Sequence, residues 1–302
     1  MRKIIILIAI VCLYNCKNEI ESNGKLKVVT TTTMITDLVK NIGGDFIEVE
    51  GLMGSGVDPH LYKASEGDVS KLVNANIIFY NGLHLEGKLV EVFEKMGNTN
   101  KTQVALGEGL DKSQLIGSDY FSSNYDPHVW FNIAFFKQFT NQVTDILTKK
   151  DPENATNFLE NEKKYLAKLT QLEADVSTII STLAKEKRIL VTAHDAFNYF
   201  GKNYDFNVVG LQGLSTATEA GVKDVQKLSS FIIENKIKAI FIESSVPKRT
   251  IEALVAAVKA KDHKVEIGGI LYSDALGNSG TVEGTYIGMF KYNVNTIVNA
   301  LK

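Results

Sequence analysis

The segment from Asn154 to Lys185 restricts the fold of this chain more than any other, because it contains neither glycine nor proline. Charged residues alternate there with apolar side chains at helical spacing, which predicts one helix of about 45–50 Å. Such a helix is too long to link two strands of a small sheet, so we expect it to join two lobes rigidly. Two shorter helices with an unrecognised break, or a coiled-coil partner surface, are the alternatives.

Predicted strands and helices alternate on both sides of this segment. Before it, strands are predicted over 27–33, 46–52, 76–80 and 103–106, and helices over 35–42, 64–74, 85–96 and 132–149. After it, strands are predicted over 188–192, 207–211, 238–242 and 265–271, and helices over 196–200, 222–235, 250–261 and 284–301. This alternation implies parallel strands with crossover helices. The predicted fold is therefore α/β, with two doubly wound lobes (26–153 and 187–302) joined by one long rigid helix (154–186).

The N-terminus has the pattern of an export signal. A short basic start precedes an apolar run over 4–13, which is too short to cross a bilayer as a stable helix. The run ends in Leu13-Tyr14-Asn15-Cys16, which resembles a lipoprotein signal, although such signals usually have a small residue where Asn15 stands. We predict a lipoprotein signal peptide over 1–15, lipidation of Cys16 and a polar tether over 16–25. A plain secretory signal is the alternative.

The positions of the cysteines and the net charge argue against three features: a disulfide, a cysteine metal site and a nucleic-acid-binding surface. Cys12 lies inside the predicted signal, so the mature chain could form neither a disulfide nor a cysteine metal site. The net charge of −2 becomes about −4 when Arg2 and Lys3 are removed, which leaves 31 basic against 35 acidic residues. Basic residues do not cluster in the remainder, so nucleic-acid binding has no electrostatic support.

One five-residue motif occurs twice, as Asp58-Pro59-His60-Leu61-Tyr62 and as Asp126-Pro127-His128-Val129-Trp130. The whole chain has only five histidines and four prolines, so the repetition argues against chance. Proline fixes its own φ and keeps the preceding residue out of the helical region, so each motif is a stiff turn. A stiff turn holds its imidazole in a set place, as a metal site requires. Two chance turns with surface histidines are the alternative.

Two further candidate ligands, His194 and Asp274, follow predicted strands of the second lobe. Ligands of open α/β sheets bind outside the carboxyl ends of strands. We therefore expect His60, His128, His194 and Asp274 to form a metal site at the lobe interface. Three imidazoles and a carboxylate suit Zn²⁺, and a second carboxylate oxygen allows Mn²⁺. Alternatively, His194 is a core histidine and Asp274 caps a turn.

Other polar residues are predicted to support the metal ligands or to be structural. Each ligand imidazole needs a hydrogen-bond acceptor at its second nitrogen, and Glu219 and Glu243 are the candidates for this supporting role. We interpret His84 as structural, at a helix cap or on the surface, and His263 as part of a solvated helix end.

At these residues the chain strongly resembles the zinc- and manganese-binding lipoproteins of bacterial ABC importers, the TroA-like cluster A-I solute-binding proteins. The matching segments are Val57-Asp58-Pro59-His60, Asn81-Gly82-Leu83-His84-Leu85-Glu86, Asp126-Pro127-His128-Val129-Trp130, Val191-Thr192-Ala193-His194-Asp195-Ala196-Phe197, Phe241-Ile242-Glu243-Ser244-Ser245, Leu271-Tyr272-Ser273-Asp274-Ala275-Leu276-Gly277 and Gly284-Thr285-Tyr286. The resemblance implies that one Zn²⁺ or Mn²⁺ ion per chain is carried at the lobe interface by the four residues above. It also implies a membrane permease as partner, a monomer, and a location outside the cytoplasm, tethered to the membrane.

The resemblance leaves the metal open. Manganese-preferring members tend to carry Glu where this chain has His194, so the site is similar to the three-histidine subtype. Members dedicated to zinc often carry a histidine-rich loop, whereas residues 113–125 contain no histidine. Iron is a third candidate.

The function predicted from the sequence is capture of a divalent transition metal and its delivery to an ABC importer. A zinc hydrolase is the first alternative, but a catalytic zinc keeps one position for water and needs a general base, which no motif supplies. A surface adhesin is the second alternative, and no sequence feature is specific to it.

Overall fold

The structure is a computed structural model that describes residues 24–96, 101–118, 121 and 123–302. The predicted signal peptide, Cys16 and most of the predicted tether lie outside the described residues. None of the helices in the described part of the chain has the length and apolar character that a bilayer crossing requires.

The first lobe is built on a four-stranded parallel sheet. Its elements are β1 (Leu26–Thr30), α1 (Thr33–Gly43), β2 (Ile47–Gly51), α2 (Glu66–Asn74), β3 (Ile77–Tyr80), α3 (Val90–Met96), β4 (Thr102–Ala105) and α4 (Ile133–Lys150). The strand order is β2-β1-β3-β4, and every pairing is parallel. The carboxyl ends of all these strands therefore lie along one edge, which the loops that follow β1, β2 and β3 share.

The second lobe has the same alternation of strands and helices, but its four strands form two separate two-stranded sheets. Its elements are β5 (Ile189–His194), α6 (Asn198–Tyr204), β6 (Asn207–Gln212), α7 (Val222–Glu234), β7 (Ala239–Glu243), α8 (Arg249–Lys259), β8 (Glu266–Leu271) and α9 (Tyr286–Leu301). β5 pairs with β6 and β7 with β8, both in parallel, and β5 lies beside β7. The predicted α/β architecture with parallel sheets is confirmed.

The long helix α5 runs from Ala155 to Ser181, and at 1.5 Å per residue it spans about 40 Å. It ends before the predicted limit at Lys185. The Arg188 guanidinium donates to the carbonyls of Ile180 (3.3 Å) and Leu183 (3.1 Å), just where the last turn of a helix leaves carbonyls without partners. The guanidinium thus caps the C-terminal end of α5, with one carbonyl from its last turn and one from just beyond it.

Helix α5 is also part of the core, since it packs against α1 and α4 of the first lobe and against α9 of the second. Its buried face consists of Phe158, Tyr165, Leu169, Leu172, Val176 and Ile180. One apolar cluster continues from Phe139 of α4 through Leu172 to Phe290 of α9. The lobes are therefore held by a shared core as well as by a connecting helix.

One predicted helix is wrong over part of its length. The pattern predicts a helix over 85–96, but α3 begins only at Val90. The preceding turns include three consecutive residues with left-handed backbone, Gly82 (φ 75°), Leu83 (φ 51°) and His84 (φ 61°). Left-handed residues do not continue into a right-handed helix. The other predicted elements agree with the structure to within a few residues.

Candidate metal centre

Four side chains from both lobes meet at the carboxyl ends of the strands. One ligand atom from each of His60, His128, His194 and Asp274 lies within 4.8 Å of the other three, and all four residues are buried. Nε2 of His60 is 3.3 Å from Nε2 of His128. The carboxylate oxygens of Asp274 are 3.7 Å from His128 Nε2 and 3.3 Å from His194 Nε2. The structure thus brings together all four ligands that the sequence predicts.

The two Asp-Pro-His turns have the same local hydrogen bond. The backbone N–H of His60 donates to Asp58 Oδ1 (2.8 Å), and that of His128 donates to Asp126 Oδ1 (2.9 Å). An aspartate that accepts from the backbone two residues later closes a tight turn and fixes its shape. Each turn therefore presents its imidazole from a rigid base.

Each turn is also tied to the second lobe through the other oxygen of its aspartate. Thr216 Oγ1 donates to Asp58 Oδ2 (2.5 Å), and Asn198 Nδ2 donates to Asp126 Oδ2 (3.0 Å). The hydroxyl of Tyr199 donates to the backbone carbonyl of Asp126 (3.0 Å). The histidines of the first lobe are thus positioned in part by residues of the second.

Asp126 has a role that the sequence analysis missed. Its Oδ1 lies 2.7 Å from His128 Nδ1, and both side chains are fully buried. With the proton on Nδ1 shared with this carboxylate, the lone pair of Nε2 faces the centre of the site. The sequence feature that could have indicated this role is the position of the aspartate, two residues before a candidate ligand in a turn.

Glu243 at the end of β7, one of the two supporting residues predicted from the sequence, contacts His194 at two atoms. Its Oε1 accepts from the backbone N–H of His194 (2.9 Å), and its Oε2 lies 2.6 Å from His194 Nδ1. Glu219 requires a correction. Its side chain is 74% exposed and pairs with Arg249 at 3.0 Å on the surface, so its carboxylate is not available to the imidazoles.

The pKa values of three ligands reflect burial and their mutual charges. Burial lowers the pKa of His60 to about 3. Burial also opposes a charge on His194, but Asp274 and Glu243 outweigh it and raise the pKa of that imidazole. Burial alone would raise the pKa of Asp274, yet the neighbouring imidazoles, His194 foremost, hold it below its usual range. At neutral pH His60 is therefore neutral and Asp274 ionised, as cation binding requires, whereas His194 favours its protonated form and must release a proton when it binds a cation.

The donor atoms of this site fit a divalent cation. Within the described part of the chain, Asp274 Oδ1 is buried without a hydrogen-bond partner, and the 3.3 Å contact of His194 Nε2 with Asp274 Oδ2 does not have hydrogen-bond geometry. Unsatisfied buried polar atoms are costly and therefore rare. A cation at the centre of the cluster would satisfy both. Three imidazole nitrogens and one carboxylate oxygen can complete a zinc tetrahedron, and the second oxygen of Asp274 allows the higher coordination of Mn²⁺.

The loop that carries Asp274 is fixed on both sides. Trp130 Nε1 donates to the Ser273 carbonyl (3.0 Å), and the backbone N–H of Leu276 donates to Thr33 Oγ1 (2.8 Å), so first-lobe residues hold each end. Ser245 Oγ donates to Asp274 Oδ2 (3.3 Å) from within the second lobe. The carboxylate is consequently held in place across the lobe interface.

Comparison with known proteins agrees with this geometry. Residues 28–300 match the family model of ZnuA, described as zinc-uptake complex component A periplasmic. The chain is 47% identical to the manganese-binding lipoprotein MntA of Bacillus subtilis over 93% of this chain and 91% of that protein. It is 48% identical to the zinc-binding protein TroA of Treponema pallidum over 93% of this chain and 90% of that protein. The solved structure of periplasmic TroA superposes with a TM-score of 0.89 and covers 92% of this chain and 99% of its own. The chain therefore belongs to the ZnuA family.

Proposed function

We propose that this protein captures a divalent transition-metal ion outside the cytoplasm and delivers it to an ABC importer. The observation that carries the proposal is the buried cluster of three imidazoles and one carboxylate, with two donor atoms left unsatisfied. Members of the family are solute-binding proteins and not enzymes. The ion is the transported ligand, bound by His60, His128, His194 and Asp274 with one ion per chain.

Either Zn²⁺ or Mn²⁺ fits the proposal. Two relatives of nearly equal identity are named for different metals, manganese for MntA and zinc for TroA, so similarity does not decide between them. For a given nitrogen and oxygen donor set, Zn²⁺ binds more tightly than Mn²⁺. We propose that the metal carried in the cell is set by supply as much as by the site.

The proposed cellular arrangement follows the lipoprotein relatives. Several relatives are named as metal ABC transporter substrate-binding lipoproteins. We propose that Cys16 is the lipidated first residue of the mature chain, that residues 16–25 tether it to the membrane, and that it meets its permease as a monomer. The two lobes, 26–153 and 187–302, would flank the ion, with 154–186 between them.

The direct test is the metal content of the purified mature chain. After saturation with Zn²⁺ and gel filtration, elemental analysis should find one ion per chain. Since the four ligands are drawn from both lobes, each single substitution among them should lower that content. A chain that retains no ion after saturation would contradict the proposed function.

The supporting carboxylate can be tested with a matched pair of variants, Glu243→Gln and Glu219→Gln. Glu243→Gln keeps the size of the side chain but removes the charge beside His194 Nδ1, so Zn²⁺ affinity should fall about 10–100-fold. Glu219→Gln changes an exposed residue away from the imidazoles and should leave affinity unchanged. Competition with a chromogenic chelator measures both. Equal affinities for the two variants would rule out a supporting role for Glu243.

A further inference from the structure

The exposed fractions of the four predicted ligands indicate the route by which an ion reaches the site from solvent. His60 retains 5% exposure, whereas His128 and His194 have none and Asp274 has 1%. A cavity of about 230 Å³ has His60 in its wall, and none of the other three ligands lines it. An ion from solvent therefore meets His60 first.

A second imidazole, that of His84, lines the same cavity. His84 is exposed, whereas His60 is buried. The Phe121 ring makes edge contacts with both imidazoles, with centroid distances of 6.4 Å to His60 and 6.0 Å to His84. The cavity thus has one nitrogen donor at its solvent side and another at its inner end.

The segment that carries His84 is held rigidly to the site. Glu86 is buried, and its Oε1 accepts from Thr31 Oγ1 (2.7 Å) and from the backbone N–H of Asn81 (2.8 Å). Asn81 Nδ2 donates to the carbonyl of Pro127 (3.0 Å), the residue before the second ligand. These bonds maintain the left-handed backbone at His84, a conformation that persists only where its surroundings enforce it.

The space around the His84 ring is also kept open. A Cβ atom on Gly87 would lie 3.1 Å from His84 Nε2, so glycine at this position leaves that nitrogen uncrowded. Lys88 lies in the wall of the same cavity. Its ammonium group repels cations, so the attraction at this wall comes from the imidazole.

We propose that His84 is an entry ligand, which binds the incoming metal ion at the cavity mouth and passes it to His60. The inference rests on the proposed function. A hydrated ion must lose its water ligands before it reaches a buried site, and a nitrogen donor on the way replaces water in stages. A ligand that contacts the ion only in transit lowers the barrier equally in both directions. It therefore speeds association and dissociation by one factor and leaves Kd unchanged.

The test uses Zn²⁺ alone and the single tryptophan of the sequence, Trp130, whose ring centroid lies 5.3 Å from that of His128. Stopped-flow fluorescence gives the association rate, and chelator competition gives the dissociation rate. His84→Asn is the chosen variant, since asparagine tolerates positive φ and its neutral amide is a weak zinc ligand. Both rates should fall about tenfold, which corresponds to about 1.4 kcal/mol of stabilisation lost at the barrier, with Kd unchanged.

Two further variants test whether the two rates depend on access to the His84 imidazole and on the charge beside it. Gly87→Ala retains the His84 imidazole but crowds its Nε2, so it should also slow both rates. Lys88→Gln removes a positive charge from the same wall and should speed association.

The outcomes separate this inference from the function on which it rests. Wild-type rates in His84→Asn would overturn the entry ligand and leave metal capture intact. A raised Kd with an unchanged association rate would also overturn it, because His84 would then act on the bound state. A wild-type protein that binds no Zn²⁺ would instead remove the proposed function, and the inference with it.

Discussion

Asp274→Ala is expected to leave the purified protein without bound metal. The carboxylate is the one negatively charged ligand of the site, it is 1% exposed, and the neighbouring imidazoles hold its pKa below the usual range. Removing one partner of a buried charged pair costs about 3–5 kcal/mol. That cost corresponds to a Zn²⁺ affinity about a hundredfold to several-thousandfold weaker. Isothermal titration with Zn²⁺ and elemental analysis after gel filtration measure the loss.

Two comparisons make this result specific. Glu252→Ala removes an exposed carboxylate from α8 of the same lobe and should retain full metal content. His60→Ala removes a ligand from the opposite lobe and should lose the metal as Asp274→Ala does. Undiminished metal content in both His60→Ala and Asp274→Ala would show that the ion is held elsewhere.

The sequence was sufficient to predict which four side chains meet because of how parallel sheets are built. Strands that alternate with helices bring their carboxyl ends to one edge, so residues as distant as His60 and Asp274 could be placed together without any contact being known. Glu243 reaches the same edge because it is the last residue of β7. Glu219 follows β6 in a longer loop, where the position of a side chain depends on its local partners, and here the partner is Arg249.

The contacts between the lobes could not be predicted in the same way. The bond between Asp58 and Thr216 joins residues 158 positions apart, and neither its existence nor its geometry has a sequence pattern. The left-handed backbone at Leu83 and His84 was missed for a related reason. The pattern of apolar residues favours a helix from residue 85, and nothing in it shows that the Glu86 carboxylate accepts from the backbone N–H groups of Asn81 and Gly82 and so holds the chain in a turn.

The shared core favours one mode of metal release over another. Because α5 packs on helices of both lobes, a wide hinge opening would separate buried apolar surface. Movement of the loop around Asp274 breaks a few hydrogen bonds, among them those from Trp130 to Ser273 and from Leu276 to Thr33, and displaces the buried Ala275 and Leu276 rather than a whole core. We therefore expect release by local movement of this loop.

Phe136→Ala is expected to destabilise both lobes together. Phe136 of α4 stacks on Tyr286 of α9, with ring centroids 3.6 Å apart and planes 9° apart, and both rings are fully buried. The Tyr286 hydroxyl donates to the carbonyl of Trp130 (2.7 Å), which extends the contact towards the site. Truncating a buried phenylalanine costs about 3–5 kcal/mol of unfolding free energy. Urea unfolding, followed by Trp130 fluorescence and by circular dichroism, measures the loss.

The number of unfolding transitions tests whether the two lobes share one core. If one core spans both, fluorescence from the first lobe and circular dichroism from the whole chain should change at one urea midpoint, in the wild type and in Phe136→Ala alike. Leu159→Ala on the outer face of α5, where the side chain is 51% exposed, should shift the unfolding free energy by about 0.5 kcal/mol or less. Two separate midpoints in Phe136→Ala would mean that each lobe is stable alone and that α5 acts only as a connector. A single midpoint, lowered in Phe136→Ala and unchanged in Leu159→Ala, would show that the packing of α4 on α9 belongs to one core that unfolds with both lobes.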